Sequence, residues 1–106
     1  MKKQTDMNDL NSVTLEGIVK EGPWIQHSKK GETQCSFLLE QHQHNNVDGI
    51  LKEQKIYVAV KTQGRQAKYC CEHLSSSKRV RIVGRLIPVD DDRIGIAADH
   101  VNFIVD

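Results

Sequence analysis

The chain has 106 residues, 38% of them hydrophobic, with 15 Lys and Arg set against 14 Asp and Glu. That length holds one small domain with a modest core, on the margin where self-association commonly adds stability, and leaves no room for a second domain. The near balance of charge provides no global field to attract nucleic acid, so any affinity for phosphate has to come from local clustering.

The first eleven residues, MKKQTDMNDLN, are polar and aperiodic and read as a flexible tail (1–11) ahead of a domain spanning 12–106, with Met7 an alternative start. The two lysines there have no apolar stretch behind them, and no run elsewhere reaches membrane-spanning length. Neither a signal peptide nor a membrane partner is expected, and the expected location is the cytoplasm. Strand one is predicted from about Ser12 to Lys20 on the alternation of Val13, Leu15, Gly17 and Val19. Glu21, Gly22 and Pro23 should break or kink it before Trp24 to His27 resume an extended run. Ser28 to Glu32 (SKKGE) is a turn.

Strand two, Thr33 to Gln41, is the centre of the pattern: Cys35, Phe37 and Leu39 alternate toward one buried face. His42 to Gly49 (HQHNNVDG) reads as a long polar loop, and strand three follows from about Gln54 to Thr62. The period then changes. Ala67, Cys70, Cys71 and Leu74 occupy one face of a short helix over 65–74, which makes its two cysteines core residues. Strand four is predicted over Arg79 to Ile87, a tight acidic turn over Pro88 and Asp90 to Asp92, and strand five over Ile94 to Val105, with a bulge near Asp99 and His100 where the parity changes.

Three strands, one helix and two strands is the element order of the OB-fold, a five-stranded Greek-key barrel with its helix between strands three and four, whose open face commonly holds single-stranded nucleic acid or oligosaccharide. A ferredoxin-like fold lacks its second helix here, and an SH3-like barrel does not usually place this one. Cys35, Cys70 and Cys71 make no disulfide framework and, with His73, no pair at zinc-ligand spacing, so reduced thiols and no metal are expected. Nothing around Cys35 resembles an activated nucleophile, and neither catalysis nor a cofactor is expected.

Arg79, Arg81 and Arg85 share one parity of strand four and, with Lys29, Lys30, Lys52, Lys55 and Arg93, form either a phosphate-binding groove or a solubilising surface. His42 and His44 stand on one side of an extended segment. Trp24, the lone tryptophan, is read as a core or interface anchor in preference to a stacking platform, because it follows Pro23 and precedes Ile25 in a strand that must cover something.

Gly17, Pro23, Ser28, Gly31, Cys35, Phe37, Leu39 and Glu40, in the string LEGIVKEGPWIQHSKKGETQCSFLLEQ, together with Gly49, Gly64, Arg79, Gly84, Ala98, Asp99, Val101 and Ile104, resemble the PriB family, primosomal replication proteins N, specialised relatives of the bacterial single-stranded DNA-binding proteins. The resemblance implies a homodimeric OB-fold that binds single-stranded DNA and bridges the PriA helicase to DnaT in replication restart. It places DNA contacts at Gln26, His42, Ile50, Lys55 and Arg93. Ile50 and Lys55 stand where other members carry stacking aromatics, and Asp90 to Asp92 make an acidic turn where theirs is basic.

The expected groove crosses strands two, three and four, with Lys30, Lys52, Lys55, Arg81 and Arg85 on phosphates, His42 and Gln26 adding hydrogen bonds, and Trp24 or Tyr57 stacking. Two other readings stand beside it. One is a general single-stranded DNA-binding protein, which would carry a long polar tail with an acidic, aromatic tip. The other is a protein-interaction OB module without useful DNA affinity.

Overall fold

β2 (Thr33–Val47) directs Cys35, Phe37 and Leu39 inward, each at most 1% exposed, and the other strands close around them. A computed structural model describes residues 8–104. In chain order the remaining elements are β1 (Val13–His27), β3 (Ile50–Gln63), α1 (Gly64–His73), β4 (Arg79–Asp90) and β5 (Arg93–Phe103). They form a closed barrel in the order β1, β2, β3, β5, β4, antiparallel except where β3 meets β5. This is the five-stranded OB-fold, with its helix between strands three and four.

The core follows from period two on the strands and period 3.6 on the helix. Val19, Val60, Val80, Ile82 and Ile96 meet the β2 residues at the centre, joined by Ala67 and Cys70 of α1 and by Leu74 at its C-cap. Thr62, the buried polar residue, donates from Oγ1 to the Cys35 carbonyl at 2.9 Å, so its burial leaves no orphan. Burial pushes the Cys35 thiol far up from its ordinary pKa, with the neighbouring Cys71 adding to the rise, and burial also raises Cys70.

Several expectations change in the folded chain. The segment His42–Gly49 is not a loop: β2 and β3 pair without interruption from Gln34 opposite Gln63 out to Val47 opposite Ile50, closed by the two-residue turn Asp48–Gly49. Both turn residues have positive φ, 53° and 79°, as a type I′ hairpin requires, and an Asp-Gly pair supplies that conformation at low cost. The polar composition of 42–46 reflects a ribbon projecting beyond the barrel with both faces wet. Strand one is continuous through Glu21 to Pro23, with register shifts between Val19 and Trp24 absorbing the irregularity. Trp24 is not buried; it is 49% exposed.

The bulge in β5 falls at Asp99, where Val83 faces His100 but Gly84 faces Ala98. Strand four runs on to Asp90, leaving Asp91 and Asp92 as the acidic turn before Arg93. At the start of the described chain, the Asn11 side chain both donates to and accepts from the Leu86 backbone, each at 2.9 Å. Residues 8–10 of the expected tail are exposed and in no regular element, residues 1–7 lie outside the described residues, and so does the end of the expected strand five. Among the described residues no helix is long and apolar enough to cross a membrane.

Candidate nucleic-acid interface

Because inward and outward positions alternate, the outer surface of β1, β2 and β3 is fixed once the core is known. Ser36, Leu38, Glu40 and His42 of β2 point outward, opposite Lys61, Ala59, Tyr57 and Lys55 of β3 respectively. Beyond its bulge, β1 sets Trp24 beside Ser36 and Gln26 beside Gln34 on the same face. Trp24 and Tyr57, 49% and 51% exposed, therefore stand as two aromatic rings on one side of the barrel.

Between the Tyr57 end of this face and the β4–β5 hairpin lies a hollow of about 260 Å³ lined by Leu38, Tyr57, Ala59, Val89, Arg93 and Ile94. Its depth comes from small residues. A Cβ at Gly95 would sit 2.8 Å from the Ala59 carbonyl oxygen and 2.6 Å from the Val89 methyl, so only glycine lets β5 approach β3 here. A concave apolar floor between the Tyr57 ring and the Arg93 guanidinium suits a planar ring with a phosphate attached.

The electrostatics of the face are mixed. The Tyr57 hydroxyl, and then His42 with Nε2 at 3.2 Å, hold the Glu40 carboxyl below its ordinary pKa, while Glu40 in turn raises Tyr57. His44 makes a second such contact, 3.2 Å from Glu53 across the ribbon. Arg93 donates from Nε to Asp90 at 2.6 Å, and this guanidinium holds the Asp90 carboxyl down to about 2. Asp90, the carboxylate at the end of β4 just before the acidic turn, is thus already neutralised by the arginine that rims the hollow.

The residues expected to form one groove separate in the folded chain. Trp24, Gln26, His42 and Lys55, with Arg93 at the rim, share the β1–β2–β3 face. Ile50 and Lys52 sit at the tip of the ribbon on the opposite side from Lys55, opposite Val47 and Asn45. Lys30 lies in the β1–β2 turn, where the Ser28 Oγ accepts from the Lys30 and Glu32 amides at 3.2 and 3.0 Å. Strand four does not border strand three, because β5 lies between them. Arg81 therefore faces out beside β1, and its Nε donates to Glu16 at 2.8 Å. Arg85 looks onto a second hollow over β5.

The sequence reading did not select Leu38, Ala59, Lys61 or Ile94. Leu38 and Lys61 carried a findable signal, since their parity opposes that of the buried residues; the approach of Ile94 depends on barrel closure.

The model of the single-strand binding protein family matches residues 10–91, most of the chain. The chain belongs to the single-strand binding protein family. Comparison with curated protein sequences yields no match. Among solved structures, a deletion mutant of the single-stranded DNA binding protein from Thermus aquaticus superposes with a TM-score of 0.80 at 21% identity over 91% of this chain, and the chain spans only 51% of that one. The small single-stranded DNA-binding protein from Streptomyces coelicolor gives 0.77 at 17% identity, covering 93% of this chain and 97% of that one. The protein PriB from Ralstonia solanacearum gives 0.74 at 11% identity, covering 91% of this chain and all of that one, 100%. At these identities the likeness is one of fold, and this member of the single-strand binding protein family has the same barrel as all three.

Proposed function

We propose that this chain binds single-stranded DNA across the outer face of β1, β2 and β3, as a PriB-like accessory of replication restart. The observation that carries the reading is the pair of half-exposed rings, Trp24 and Tyr57, on one barrel face beside an apolar hollow rimmed by Arg93. Bases stack on the rings, and Lys55, Lys61 and Arg93 lie within reach of the backbone between them. Such contacts neutralise phosphates without reading sequence. The protein works by binding, without catalysis.

In this reading the protein is a homodimer that bridges the PriA helicase to DnaT. Among the described residues, β3 from Ile50 to Ala59 is laddered to β2 alone, and β1 beyond Ile18 has lost its β4 neighbour. Open backbone edges of this kind favour pairing with a second chain. A protein-interaction module without DNA affinity is the second reading, favoured by the carboxylates of Glu40, Glu53 and the acidic turn on or near the same face.

Fluorescence-anisotropy titration of labelled oligo-dT and of its duplex separates them. The proposal expects the single strand to bind in preference, with affinity that falls steeply as salt rises. Absence of binding at low salt, with retained affinity for the helicase, would establish the second reading.

A further inference from the structure

The outer face does not end at β3. The registers join one residue from each strand into a single transverse row: Trp24 beside Ser36, Ser36 beside Lys61, Lys61 beside Ala97, and Ala97 beside Arg85. Lys61 and Arg85 therefore flank an alanine, and the missing bulk between them opens a hollow of about 320 Å³. Gln63, the last residue of β3, and Gln66 in the first turn of α1 close one side of it with neutral amides. The one carboxylate in its lining is Asp99, the extra residue of the β5 bulge, 3.5 Å from Arg85 with both side chains more than half exposed. Among the described residues no carboxylate lies within ion-pair distance of Lys61.

We infer that Lys61 and Arg85 grip a backbone phosphate in this hollow, extending the DNA path over β5 to β4, and that Asp99 is the counter-charge which the phosphate displaces from Arg85. The inference rests on the single-strand reading above. Four strand spacings separate Trp24 from Arg85, a path of roughly 19 Å, within the reach of the 4 to 16 nucleotides one such barrel commonly covers. The bulge has a part in this arrangement. It adds a residue between Ala98 and His100, and that residue is the acid beside Arg85. Such a pair is too exposed to contribute much to stability, so exchanging its carboxylate for a phosphate costs the fold little.

The test compares wild type, the double variant Lys61→Gln/Arg85→Gln and the single variant Asp99→Asn, each titrated against oligo-dT of about twelve nucleotides. Thermal unfolding serves as the check on folding. Each phosphate neutralised on a single strand contributes a slope of about 0.7 in log K against log salt, so the double variant, which releases one phosphate, should lose about 0.7 of slope. Between about 50 and 200 mM salt, wild type should then lose roughly 2.5-fold more affinity than the double variant. Asp99→Asn should tighten binding at low salt, an effect that unfolding cannot mimic. Wild-type binding with an unchanged slope in the double variant overturns this inference and leaves the stacking face standing. Absence of wild-type binding overturns both.

Discussion

Replacing Trp24 tests whether the outer face works by stacking. Trp24 is 49% exposed, so only part of the indole is open to a base. Base stacking on an aromatic is worth about 1 to 3 kcal/mol, and a partly open platform belongs in the lower part of that range. Alanine is the wrong probe. Stripping the packed half of the indole removes on the order of 100 Å² of apolar contact, a stability loss near 2.5 kcal/mol that would confound the result. Trp24→Leu keeps most of that cover while removing the π surface. It should weaken oligo-dT binding roughly 5- to 30-fold, leave unfolding within about 1 kcal/mol of wild type, and leave the salt slope unchanged, since stacking releases no counterions. Trp24→Phe should recover much of the affinity. Because Trp24 is the sole tryptophan, wild-type emission should also change on saturation with oligo-dT. An unaltered affinity in Trp24→Leu, or a loss that appears entirely in the salt slope, would refute the stacking role.

Three further outcomes are expected. Lys55→Glu, on the ribbon opposite His42, should weaken binding roughly thirtyfold at low salt and equally for all base compositions, from about 1 kcal/mol of attraction lost and a similar repulsion added; anisotropy with oligo-dT and a mixed-sequence oligonucleotide checks it. Asp90 has its folded-state pKa lowered to about 2, chiefly by the hydrogen bond from Arg93, so its stabilising effect is present above its unfolded value near 4 and lost as pH falls from about 4 toward 2. Carboxyl chemical shifts should place that midpoint, and Asp90→Asn should flatten the acid limb of stability and free Arg93 for phosphate. In native thiol labelling, half-buried Cys71 should react first, while Cys35 and Cys70, buried with raised pKa values, should react only as the chain unfolds.

The barrel was legible in the sequence because its core depends on local alternation. Cys35, Phe37 and Leu39 point inward by the same parity that the chain displays, and Ala67, Cys70 and Leu74 follow the helix period. The β5 bulge was visible as a parity change near Asp99. The ribbon was missed because beyond the barrel neither face is buried, so hydrophobic alternation vanishes while pairing continues; Asp48 and Gly49 carried the turn signal that polar composition obscured. The order of strands across the expected groove was illegible for a different reason. Parity tells which side of a strand Arg81 and Arg85 occupy, but the neighbour of β4 is set by closure, and β5 intervenes before β3. Of the two anchoring positions expected for Trp24, the core one is excluded, because the register shifts after Val19 turn it onto the outer face.

Amide and indole chemical-shift mapping of the labelled protein during titration with oligo-dT locates the binding face most directly. Shifts should concentrate on the Trp24 indole and on Ser36, Leu38, Tyr57, Ala59 and Lys61, reach Ala97 and Arg85, and spare the stacked Tyr69 and His73 rings on α1. Saturable shifts centred on α1, or none on the β1–β2–β3 face, would contradict the account.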